Sequence, residues 1–130
     1  MATGIALAEI DQALVVTMQG DLDDETCHEL IKTVSERLVH SRLRAAFIDF
    51  SAISLLDLHE FELIRGLLKM SALLGAKSWL IGLNPGIVTF LVQMDVDTRG
   101  LQFCLHMSNA FEELTQSALE EDRDTDDQYQ

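Results

Sequence analysis

Basic residues are what this sequence lacks most. Nine lysines and arginines face 22 aspartates and glutamates, for a formal net charge of −13. That balance argues against nucleic acid as a partner, because phosphate recognition needs a basic footprint. It argues equally against docking on an anionic membrane surface. Long apolar runs are missing too, and none approaches the ~18 residues that cross a bilayer. Cysteine is scarce: Cys27 and Cys104 are the only two, far apart and without metal-type spacing. No basic segment followed by an apolar run opens the chain, so no secretory signal is read there. The expectation is a soluble protein of the reducing cytoplasm with two free, buried thiols. The single proline and seven isolated glycines leave no glycine-rich phosphate loop. The nearest candidate, Gly82-Leu-Asn-Pro-Gly86, has no lysine of the kind a P-loop requires.

What is present suffices for one domain. The chain has 130 residues, of which 48% are hydrophobic, an ordinary supply for a single core at this length. Acid concentrates at the end: Glu120, Glu121, Asp122, Asp124, Asp126 and Asp127 face the single Arg123. Such a stretch cannot bury enough surface to offset its ordering entropy. The expected organisation is a domain over residues 1–119 and an acidic, disordered tail over 120–130.

Within the domain, residues 5–10 and 13–18 are two β-prone runs separated by Asp11-Gln12, a hairpin pattern with a turn weaker than Asn-Gly. Gly20-Asp-Leu-Asp23 ends the second run. Asp21 or Asp23 can cap the helix that follows, in which Cys27, Leu30, Ile31, Val34 and Leu38 recur at helical spacing. Residues 45–50 are apolar except for Asp49, as in a central strand covered on both faces. A short polar loop with Ser51 and Ser54 leads to Asp57, which caps a helix expected over residues 58–74 and ended by Gly75. That helix is apolar nearly all round: Phe61, Ile64, Leu68 and Ala72 form one stripe, and Leu63, Leu67, Met70 and Leu74 much of a second. A helix of that kind is deeply buried, or packs on its own sheet and on a partner. Residues 78–82 form another strand, and Asn84-Pro85 opens a helix ending near Met94, with Pro85 where a missing N–H costs nothing. A polar link over residues 95–100 leads to a last strand over 101–105, and Ser108 is placed as the cap of a final helix carrying Phe111, Leu114 and Ala118. The order ββαβαβαβα predicts an α/β fold with a mixed, mostly parallel sheet and helices packed on it.

Reactive side chains crowd the strand–loop–helix segment. Ser54, Asp57 and His59 include the residue types of a hydrolase triad, but sequence neighbours rarely adopt that geometry, and no Gly-x-Ser-x-Gly elbow surrounds Ser51 or Ser54. Capping and turn hydrogen bonds account for Ser54 and Asp57 without catalysis. His28, His40, His59 and His106 are scattered, with no His-x-x-x-His pair. Neither an enzyme, a metal site nor a cofactor is expected, and the residues alone suggest a binding or assembly module.

Several segments carry a resemblance. Gly20-Asp-Leu-Asp23 before the first helix, and Ile48-Asp-Phe-Ser51 followed by Leu56-Asp57 before the second, resemble the STAS domain shared by bacterial anti-sigma factor antagonists. The likeness covers about residues 5–118. Leu73-Leu-Gly-Ala-Lys77, Ile81-Gly-Leu-Asn-Pro85 and Met94-Asp-Val-Asp-Thr-Arg-Gly100 look most like the stressosome scaffold proteins of the RsbS and RsbR type. The resemblance implies a STAS fold and a non-enzymatic switch. Its partner is a serine/threonine kinase of the RsbT type or an anti-sigma factor, with other STAS proteins as further partners in a homo- or hetero-oligomer. In that family a serine or threonine directly after the loop aspartate is phosphorylated. Asp57 matches the aspartate, but Leu58 occupies the acceptor position and has no hydroxyl; a second acceptor position falls at or near Phe103, also without one. The implied partner-binding and switch loop therefore comprises Asp49, Ser51, Ser54, Asp57, Leu58 and His59, with a second loop at Asp97, Thr98 and Arg99. Ser51, Ser54 and Thr98 lie in these loops as substitute hydroxyls. One reading is a scaffold or antagonist held permanently in its unphosphorylated form; the other is a small-ligand sensor or oligomeric subunit without a kinase partner.

Overall fold

Asp11 and Gln12 both take positive φ, 51° and 67°, the pairing of a type I′ turn whose twist matches that of a two-residue hairpin. The turn joins β1 (Ile5–Ile10) to β2 (Ala13–Met18), which pair antiparallel with Ile10 opposite Ala13. A computed structural model describes the backbone of residues 4–128 and the side chains of residues 4–121. The remaining elements are α1 (Asp24–His40), β3 (Ala45–Asp49), α2 (Leu58–Leu73), β4 (Lys77–Ile81), α3 (Pro85–Gln93), β5 (Gln102–Cys104) and α4 (Met107–Gln128). The predicted element order is the observed one.

The five strands lie side by side in chain order, and β2 through β5 are parallel. Three crossovers stepping the same way across a parallel sheet keep one hand and so put α1, α2 and α3 on one face. Side-chain alternation then divides the core in two. Leu14, Val16, Met18, Ile48 and Leu80 point toward the three helices, meeting Leu30, Val34, Phe61, Ile64 and Ile87. Ala13, Ala45, Phe47, Trp79 and Ile81 point the other way, to Ala110 and Leu114 of α4. There Phe47 packs edge-on against Trp79 and Phe111, with ring centroids 5.2 and 4.7 Å apart, and Trp79 Nε1 donates to Glu113 at 2.6 Å. The central strands thus need apolar residues at every position, which is why residues 45–48 are fully buried.

Two expectations need correction. Ser108 lies inside α4, which begins at Met107, and the turn is closed by Asn109 N–H donating to the carbonyl of His106. Cys27 is buried but Cys104, on the three-residue edge strand, is only half-buried. The backbone of α4 is helical to Gln128, and residues 129–130 lie outside the described ones. Within α4, the Glu121 carboxylate pairs with Arg44 at 3.1 Å and Lys77 at 3.6 Å, which ties the helix to the sheet.

Candidate functional site

The β3–α2 loop is built by polar side chains acting on nearby backbone. β3 ends at Asp49, whose Oδ1 accepts from Ser51 N–H at 2.9 Å and from Ser51 Oγ at 2.5 Å, turning the chain off the sheet. Asp21 reaches across from the β2–α1 loop to accept from the N–H groups of Ser54 and Leu55 at 2.6 and 3.2 Å. Asn84 works from the other side: its Nδ2 donates to the carbonyls of Ile53 and Ser54, and its Oδ1 caps α3 by accepting from Ile87 N–H at 2.8 Å. Gly82, at φ 73°, lies against the same loop, and a Cβ there would collide with Ser51 Oγ. Three loops are thereby locked together at the C-terminal ends of β2, β3 and β4.

Asp57 closes the segment as a capping box. Its carboxylate accepts from Glu60 N–H at 2.7 Å, and the Glu60 carboxylate accepts from Asp57 N–H at 3.0 Å. Two otherwise orphaned donors are satisfied reciprocally, and the negative charge suits the positive end of the helix. Leu58 follows at the first helical position with 39% of its surface exposed, near Leu55 at 75%. His59 Nε2 lies 3.7 Å from Asp24 Oδ1, which brings the start of α2 beside the start of α1. Asp23 caps α1, and its carboxyl is held below the usual range first by the Thr26 N–H it accepts from. Burial, aided by Glu60, Asp24, Asp57 and Asp23, pushes the Cys27 thiol up to about 11. At neutral pH this cysteine is a protonated core residue.

Of the predicted site residues, Asp49, Ser51, Ser54, Asp57, Leu58 and His59 follow one another from the end of β3 through the loop to the first turn of α2. Ser54, Asp57 and His59 are not arranged as a relay: Asp57 turns to its own helix and His59 to Asp24. No group of three or more metal-competent side chains occurs among the described residues. Asp97, Thr98 and Arg99 lie apart, beyond α3. Asp97 accepts from Arg99 N–H and Nε at 3.0 and 2.9 Å, and this hydrogen bonding with Arg99 holds its carboxyl well below the usual range. Arg65 of α2 contacts Asp97 at 3.4 Å, so the second loop is tied to the helix that Leu58 begins. Asp21 and Asn84, read from local patterns only as cap formers, and Gly82, read as the end of a strand, are site residues too; their part in this loop depends on contacts some 30 residues distant.

A sequential, mostly parallel sheet with helices on both faces and a capped helix at the β3–α2 loop make this an α/β domain. The chain belongs to the STAS domain family, which matches it over residues 4–114. It is similar in structure to a serine-to-glutamate variant of Moorella thermoacetica RsbS, with a TM-score of 0.77 and 20% identity over 88% of this chain and 97% of that one. A chain of the stressosome, a signal integration and transduction hub, gives a TM-score of 0.66 and 24% identity over 87% and 98%. The phosphorylated form of the Bacillus cell fate determinant SpoIIAA gives 0.65 and 14% over 85% and 98%. No curated protein matches the sequence. No helix among the described residues is long and apolar enough to cross a membrane.

Proposed function

We propose that this protein is a non-enzymatic STAS signalling module that binds a serine/threonine kinase of the RsbT type, or an anti-sigma factor, through the surface at the start of α2, and that this surface keeps its unphosphorylated form. The single observation that carries the reading is Leu58. It occupies the first position after the capping aspartate, where a phosphate would add about −1.5 to −2 charges beside Asp57 and Glu60. Leucine instead joins Leu55 in an exposed apolar rim, the kind of surface a protein partner covers. Other STAS chains are further partners in this reading, as homo- or hetero-oligomers. A second reading, a ligand-sensing STAS subunit without a kinase partner, is favoured by the apolar groove between α3 and β5.

The test of the first reading is incubation with an RsbT-type kinase and ATP, followed by pull-down and intact-mass measurement. The expected result is a stable complex and an unchanged mass. Phosphate on any residue, or no complex with either a kinase of this type or an anti-sigma factor, would overturn it.

A further inference from the structure

α3 and β5 leave between them an open groove of about 560 Å³, lined by Leu83, Val88, Val92, Val96, Phe103 and Leu105. Pockets for small ligands fall in the range of about 300–1,000 Å³ and are mostly apolar with a few placed polar groups. The groove has both properties. Its polar members include Asp95, just past the C-terminal end of α3, and Thr98 in the loop that follows, and Asp95 is the only charged lining residue among the described ones. Val92 is 74% and Leu105 69% exposed, a wet apolar surface of the kind that marks a binding site.

We propose that this groove binds a small amphiphile with an apolar body and a cationic head, the body along Val88, Val92 and Phe103 and the head beside Asp95. Charge selects that class. The carboxylate of Asp95 lies at the end of α3 where the helix dipole is negative, and both favour a cation. The chain carries −13 overall, so an acyl anion meets repulsion from near and far. The same charge disfavours a second copy of this chain, which would bring a further −13 to the contact. Thr98, between Asp97 and Arg99, places the groove directly against the loop that Arg65 ties to α2. The inference gives a ligand class to the sensing reading. It is independent of kinase binding, which the test does not involve.

Two probes with the same chain and opposite heads, octyltrimethylammonium and octyl sulfate, separate the possibilities when titrated below micelle formation by calorimetry and methyl NMR. The expected result is saturable one-to-one binding of the ammonium with shifts at Val88, Val92 and Leu105, and about tenfold weaker binding of the sulfate. Asp95→Asn, which suits the positive φ of 51° at this position, should bring the two affinities within about threefold of each other. Val92→Trp, which fills the groove from its exposed side, should weaken the ammonium at least about tenfold with an unchanged circular dichroism spectrum. Equal or tighter sulfate binding, absence of saturable binding, or affinity unchanged in the folded Val92→Trp protein would each overturn the proposal. So would concentration-dependent dimerisation that shifts the same methyl groups.

Discussion

The β3–α2 junction and the α3–β5 edge belong to one sheet but are held in opposite ways. At the junction, Asp49, Asp57, Asp21 and Asn84 each accept from or donate to a named backbone group, and three loops are fixed by short contacts. At the edge, the strand is three residues long, and Phe103 within it and Leu105 just beyond it face water. The first region is held by its own side chains; the second presents apolar surface that stays exposed among the described residues. The difference teaches that an exposed aliphatic side chain has two meanings here. Leu58 is exposed on a rigid, hydrogen-bonded frame, whereas Val92 and Leu105 are exposed along a groove.

Substitutions sharpen that contrast, and urea denaturation reads each of them. Gly82→Ala should cost the most, about 2 kcal/mol or more, because alanine is strained at φ 73° and its Cβ meets Ser51 Oγ. Adding Ser51→Gly should return part of the loss, the sign of a direct steric coupling. Asn84→Ala should cost about 2 kcal/mol, since one side chain serves as helix cap and as donor to two carbonyls. Asp57→Ala should cost about 1 kcal/mol through loss of the cap. Val92→Ser at the edge should stay within about 0.5 kcal/mol. A loss at Val92 as large as that at Asn84 would break the comparison, because the edge would then be part of the frame.

The cysteines extend the contrast to pH. Cys27 ionises near 11 in the folded protein, above its ordinary value of 9.0, so folding favours the protonated thiol. Its contribution is fully present below about pH 9 and is lost as pH rises from there toward 11, where the unfolded chain has already released the proton. The denaturation midpoint should therefore fall over that window, and Cys27→Ala should flatten the fall. A thiol reagent at neutral pH should label the half-buried Cys104 first and Cys27 only on unfolding.

Element order was legible in the sequence because strand and helix periods, Gly75 and Asn84-Pro85 are local signals, as is the Asp57 cap. Even the weak Asp11-Gln12 turn was placed correctly. The limits of β5 were not legible, since an edge strand ends where pairing ends, and pairing depends on β4. The anchoring of Glu121 by Arg44 and Lys77 was hidden, because acidic composition says nothing of such distant partners. The site was readable as far as Asp57 and Leu58, which are adjacent in sequence. The clamping of Ser54 by Asp21 and Asn84 was not, because it joins residues at separations of 33 and 30.

The most direct measurement concerns Leu58 itself. Wild type and Leu58→Ser are each incubated with an RsbT-type kinase and ATP and analysed by intact and peptide mass. The expected result is no phosphate on the wild type and one on the variant, at position 58. Phosphate on the wild type, or a variant that binds the kinase yet stays unmodified, would contradict the claim that the switch position is intact in form and lacks only its hydroxyl.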